Sequence, residues 1–186
     1  MRTHQAAVIV TIMTSLVLLR GGLRAQDGGP KREQLQQKVD ALKIGVSDLS
    51  MIERLFGKPE SLRKGVDWHE NGVKRPMHYA QYPANGLSFA LFTNPSQLYS
   101  ITIETKDVVS HAIKIGDSLQ QVRKTLAAEG EWGTTDEQDW WWLEFKKHGV
   151  KVGFERDKTQ KKYPIKLAAP ETVTRIELYD TRVTFH

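Results

Sequence analysis

Apolar positions along this chain fall into two matching successions, each a stretch of helical spacing followed by stretches that alternate with period two. In "ALKIGVSDLSMIERLFG", residues 41 to 57, Leu49, Ile52, Leu55 and Phe56 share one helical face. Behind it, "MHYAQY", "LSFALFT" and "LYSITIE" alternate as strands and are divided by the turn signals "PANG" and "NPSQ". The pattern then begins again. "AIKIGDSLQQVRKTLAAEG", residues 112 to 130, repeats Ala, Lys, Ile, Gly and Ser in the same positions, answers Leu42 with Ile113, and sets Leu119, Val122 and Leu126 on one face. The strand-like segments "WWWLEF", "VKVGFE" and "TVTRIELYD" follow, the last two separated by the longer "RDKTQKKYPIKLAAPE".

The local signals for these elements agree. Ser47 and Ser118 stand where helix N-caps belong, and Gln121 would complete a capping box with Ser118. Gly57 with Pro59 is expected to stop the first helix and Gly130 the second, and Trp68 and Trp132 fall in the loops that follow. The expected fold is therefore α+β: two tandem repeat units, residues 39–108 and 109–186, each one helix and a three-stranded antiparallel meander. The helices would gather on one face, and the two layers would lie side by side.

Alternation also sorts the strand residues by face. Ala80, Tyr82, Leu87, Phe89, Leu91, Ile101 and Ile103 in the first unit, and Leu143, Phe145, Val150, Val152, Phe154, Ile176 and Leu178 in the second, should pack on the helices. Tyr79, Phe92, Trp140, Trp142 and Tyr179 fall on the opposite face with Arg175 and polar neighbours such as Gln81, Ser100, Thr102, Glu144 and Glu177. Aromatics among polar residues and Arg have the composition of a protein-binding surface. They equally suit rings that pair across strands or cover a seam between sheets.

The N-terminus changes the charge argument. Arg2 precedes an uncharged apolar run from Ala6 to Leu19, and Leu23-Arg24-Ala25 ends in a small residue. This reads as a secretory signal cleaved near Ala25, since the run is short for a bilayer span, with an uncleaved N-terminal anchor as the alternative. Either places the bulk of the chain in the periplasm or outside the cell. Three of the 27 Lys and Arg, and none of the 22 Asp and Glu, lie in residues 1–25, so the remainder has 24 against 22 and loses the basic excess a nucleic-acid binder would show. Residues 26–38, "QDGGPKREQLQQK", read as a polar tether or as a helix packing Leu35, Val39 and Leu42.

Catalytic signatures are missing. With no Cys there is no disulfide, thiol nucleophile or Cys-ligated metal. His4, His69, His78, His111, His148 and His186 show no i, i+4 pair, and His69 beside Glu70 lacks a partner. Asp136, Glu137 and Asp139 do not follow a calcium-loop pattern. Arg156, Lys158, Lys161, Lys162 and Lys166 make one basic loop, a solvated loop or a contact for an anionic polymer. No cofactor and no metal are expected.

The sequence "IGxS" leading into a helix, "LFGKP" at its end, and then "NGLSFALF" and "LYSITIE" resembles the repeat unit of β-lactamase inhibitor protein-like folds. It is also similar to the SmpA/OmlA-type small outer-membrane lipoproteins. The resemblance covers about residues 39–105 and 110–180. It implies a protein-binding, non-enzymatic module using an aromatic sheet face, with another protein of the envelope or exterior as partner. The chain departs from both families in lacking the inhibitors' disulfides and the lipoproteins' lipidated Cys. An envelope-glycan or small-ligand binder, with rings stacking on sugars, is the alternative.

Overall fold

A computed structural model describes residues 30–68, 74–133, 140–157, 167 and 171–182. Helices α1 (Pro30–Asp40) and α2 (Leu49–Phe56) precede strands β1 (Ser61–Trp68), β2 (Lys74–Tyr82), β3 (Leu87–Thr93) and β4 (Ser96–Ile103). Helix α3 (Leu119–Leu126) precedes β5 (Glu131–Gly133), β6 (Trp140–Phe145), β7 (Val150–Glu155) and β8 (Val173–Tyr179). All eight strands form one antiparallel sheet in the order β1-β2-β3-β4-β8-β7-β6-β5.

This order overturns the expected architecture of two helix-plus-three-strand repeats lying as separate layers. The segment after each helix, expected as a loop around Trp68 or Trp132, is a strand, β1 or β5, at an outer edge of the sheet. The inner strands β4 and β8 pair directly, with Ser100, Ile101, Thr102 and Ile103 opposite Tyr179, Leu178, Glu177 and Ile176. Joining there pairs two strand edges that would otherwise leave unmet N–H and C=O groups. The result is a single continuous sheet, and one large core cluster draws on both halves of the chain.

Helix starts follow cap chemistry, with one shift. Ser118 Oγ accepts from the backbone N–H of Gln121 at 3.2 Å, as its position predicts. In α2 the cap is Asp48, whose carboxylate accepts from Met51 N–H at 2.8 Å, while Ser47 Oγ accepts from Lys43 N–H one residue earlier. Gly57 ends α2, but α3 ends at Ala127, held at φ 48°, three residues before Gly130. Residues 30–40, part of which fell in the polar tether, form a helix that buries Val39 and packs Leu35 on the core.

The core follows the alternation. Every strand residue assigned to the helix side belongs to one cluster or packs on it, together with Ile52 of α2, Val122 and Leu126 of α3, and Trp141. Burying side chains of this size stabilises by about 1.5–3 kcal/mol each. Tyr82 ties α2 to the sheet by donating its hydroxyl to Gly57 O at 2.8 Å, and burial pushes its pKa up to about 12. The loops that open both helices dock alike on the inner strands: Gly45 N–H donates to Leu98 O and Gly116 N–H to Val173 O.

Candidate functional site on the open sheet face

No residue of α1, α2 or α3 enters the second, smaller cluster, which lies on the opposite face: Met77, Ala90, Phe92, Tyr99 and Tyr179, with Tyr79 packed against them. Phe92 is 3% and Tyr179 8% exposed, whereas Tyr79 and Trp142 are half-buried. Pairing across strands therefore accounts for two of the expected anchors. Phe92 and Tyr99 rings sit 5.5 Å apart at 48°. The Arg75 guanidinium lies 3.6 Å from the Phe92 centroid, and Lys151 Nζ lies 4.9 Å from that of Tyr179. Such stacked cations cover apolar rings while keeping a charged outer surface.

Tyr99 was invisible to strict alternation, which would put it on the core face beside Ile101. A bulge at Ala90/Leu91 sets Ala90 opposite Ser100 and Leu91 opposite Leu98, so Tyr99 is left over and joins the open-face cluster while Leu98 enters the core. A second bulge, at Gly153/Phe154, skips Thr174, whose hydroxyl donates to Gly153 O at 3.1 Å.

Trp142 and Arg175 form a separate group. They flank Gly153 in register on β6 and β8, and the guanidinium carbon is 6.0 Å from the Trp142 ring. Arg175 is ion-paired to Glu104, the residue after β4. Trp140 is on β6 opposite Glu155, and its side chain lies outside the described residues. Strands β2 and β6 are five places apart in the sheet, so Tyr79 and Trp142 are separated by about 24 Å at ~4.8 Å per strand. Of the six residues expected to form one surface, the five whose side chains are described fall into two groups.

Between the groups runs a feature that the sequence hid. One register row crosses all eight strands and is polar throughout: Ser61, Gln81, Ser88, Thr102, Glu177, Lys151, Glu144 and Glu131. Its β2-to-β8 portion, Gln81, Ser88, Thr102 and Glu177, borders a concavity of about 440 Å³, lined also by Arg63, Tyr79 and Ser100. The Tyr79 ring lies against Gly65 of β1, where an added Cβ would fall 2.6 Å from it, and its hydroxyl donates to Met77 Sδ at 3.7 Å. Leu62, Arg63 and Lys64 are all exposed, so β1 carries no alternation of burial that would mark Arg63 and Gly65 as strand residues.

Glu177 is the carboxylate nearest the middle of the sheet. Burial pushes its pKa above the usual range, Lys151, Ser100 and Arg175 pull it back, and Glu144 adds to the rise. Burial, and then the Glu144 carboxylate, keep the Tyr179 hydroxyl protonated well beyond its ordinary range.

The residues weighed for catalysis fall elsewhere. His69, Glu70, Asp136, Glu137 and Asp139 lie outside the described residues, as do Lys158, Lys161, Lys162 and Lys166 of the basic loop. Arg156 of that loop is described and lies 5.4 Å from the Trp141 ring. His111 and His148, distant in sequence, meet at 6.4 Å between ring centroids, and burial followed by His148 holds the His111 pKa below its usual value. Among the described residues no group of three or more His, Cys, Asp or Glu could hold a metal ion, and no helix is long and apolar enough to cross a membrane.

No family model and no curated protein matches the chain. Among solved structures it is similar to a cysteine-rich secretory protein from Staphylococcus aureus subsp. aureus Mu50, at 11% identity and TM-score 0.40, over 73% of this chain and 44% of that one. A DUF4309 family protein from Bacillus subtilis subsp. subtilis str. 168 matches at 10% identity and TM-score 0.45, over 80% and 91%. An extracellular protein containing an SCP domain, from Bacillus anthracis str. Ames, matches at 10% and TM-score 0.37, over 75% and 45%. The chain spans under half the length of the first and third. None of the three is described as a β-lactamase inhibitor protein or an SmpA/OmlA-type lipoprotein, and likenesses this distant carry no argument about activity.

Proposed function

We propose that this is an exported, non-catalytic binding module whose open sheet face receives a segment of a partner protein. The observation that carries the reading is the concavity of about 440 Å³ on the face away from the helices, lined by hydroxyl, amide and charged side chains beside the half-buried ring of Tyr79. Sites of this kind combine a concave shape with a few placed polar groups. The short motifs that resemble protein-binding families support the same direction.

A photo-crosslinking residue tests it. Placed at Ser88, in the concavity, it should yield a discrete protein adduct in envelope extract; placed at Val46, which is 71% exposed on the loop before α2, it should not. Equal labelling from both positions, or none from Ser88, would remove the proposal.

The Tyr79 ring laid over Gly65 favours a second reading, an envelope glycan stacked on that ring. Saturation-transfer signals from peptidoglycan fragments that vanish in Tyr79→Ala would support it over the protein partner.

A further inference from the structure

Charge on the open face is unevenly distributed. Three carboxylates, Glu104 just after β4, Glu144 on β6 and Glu177 on β8, stand around two cations, Arg175 on β8 and Lys151 on β7. Glu104 is paired to Arg175, and Glu144 lies 3.8 Å from Lys151. Glu177 shares those same cations and takes a hydrogen bond from Ser100, a hydroxyl buried in the floor. At the other end of the concavity stands exposed Arg63 on β1. Of the charged residues that line the trough, the carboxylate of Glu177 lies toward the sheet's middle, and the cations Arg63 and Lys64 lie on β1 at its outer rim.

We infer that the trough selects an extended segment of the partner protein with a basic side chain seated at Glu177 and an acidic one at Arg63, an inference that rests on the protein-partner reading above. The spacing follows from the sheet. From β1 to β8 is four strand intervals, about 19 Å at ~4.8 Å each. An extended chain advances about 3.3 Å per residue, so the two charges should be about five or six residues apart. A cation at Glu177 would oppose the desolvation that now disfavours its ionised form, so occupancy there is favoured by more than surface attraction. Gln81, Ser88 and Thr102, which line the trough between the two charges, offer hydrogen bonds to the segment's backbone.

Synthetic Gly/Ser peptides, capped at both ends and carrying one Lys and one Asp separated by two, five or eight residues, test this by titration at low salt with amide chemical shifts as readout. The five-residue spacing should bind at least threefold more tightly than the others. Glu177→Gln should erase that preference, and Arg63→Glu should transfer it to a peptide with Lys at both positions. Amide spectra of the free variants establish that they are folded, and Arg63, being exposed on an edge strand, can be exchanged without disturbing the core. Binding indifferent to spacing, or unaltered in both variants, overturns the inference. If crosslinking from Ser88 still captures a protein in the variants, the broader binding function stands and only this charge pattern falls.

Discussion

Gly149 caps the turn between β6 and β7 at φ +62°, and replacing it by Ala tests whether the sheet's inner strands are locked as described. The left-handed conformation costs a residue with a Cβ about 1–2 kcal/mol. At this position the Cβ would also lie 2.7 Å from the backbone oxygen of Tyr179 and 3.0 Å from Thr181 Cγ2. The obstructing atom is backbone, so β8 must give way by several tenths of an ångström. The bond that suffers is Tyr179 N–H to Gly149 O, now 2.9 Å, worth about 1 kcal/mol. Gly149→Ala should therefore cost about 2–3 kcal/mol. Ala127 offers the opposite sign in the same assay. It holds φ 48° at the end of α3 as a non-glycine, so Ala127→Gly should stabilise by about 1 kcal/mol. Equilibrium urea unfolding monitored by Trp fluorescence reads both. At a slope of ~2 kcal/mol per molar, the midpoint should fall by about 1–1.5 M for Gly149→Ala and rise by about 0.5 M for Ala127→Gly, with the slope unchanged. A Gly149→Ala loss below about 0.5 kcal/mol, or a destabilised Ala127→Gly, would refute the reasoning.

Three further outcomes are expected. Gln36 clips α1 to the loop after β4, donating to Val109 O at 3.0 Å and accepting from Val109 N–H at 2.7 Å, so Gln36→Ala should lose about 2 kcal/mol and speed amide exchange in α1; unchanged exchange would show that Leu35 and Val39 suffice. Asp48→Ala should cost about 1 kcal/mol at neutral pH. The Asp48 pKa is lowered, chiefly by the Met51 N–H and then by Ser50, so the part of this stability that depends on the charge is present above the ordinary carboxylate range and is lost as pH falls through the lowered folded value; a deficit that does not shrink as pH falls would contradict it. Glu177→Gln should raise the melting temperature at pH 7, because a carboxyl whose folded pKa is raised contributes most when protonated and loses that contribution as pH rises through its folded value. The gain should vanish below the unfolded pKa, and Ser100, Lys151, Arg175 and Glu144, which surround Glu177, are unchanged in the comparison.

What the sequence made legible is what local periodicity encodes. Six strands were recognisable because each alternates and is bounded by turn residues, and their inward positions landed in the core. The edge strands escaped. In β1, Leu62 is 44% exposed and Lys64 shares its face, so burial imposes no alternation there, and β5 is only three residues long. Ser47 and Asp48 stand side by side as two competent caps, and only the helix's first turn decides between them. Alternation also fixes the face of a residue without saying which edges meet. The β4–β8 join depends on complementary edges far apart in sequence, and it was this join that turned two expected layers into one sheet. Both bulges escaped for the same reason, and one of them moved Tyr99 into the site.

The join also separates the two classes of ligand. Had the aromatic residues formed one patch, a single sugar or a single protein loop could have touched all of them. With Tyr79 and Trp142 about 24 Å apart on β2 and β6, a small ligand in the concavity can reach only the first. A protein covering about 800 Å² of this face spans both. Alanine at each position therefore has a different meaning under each reading. A glycan should lose affinity with Tyr79→Ala and be indifferent to Trp142→Ala, whereas a protein partner should lose affinity with either. Two sites this far apart should also act independently, so the double variant should show the sum of the single losses. The sheet that divided the expected site thereby supplies the measurement that identifies its occupant.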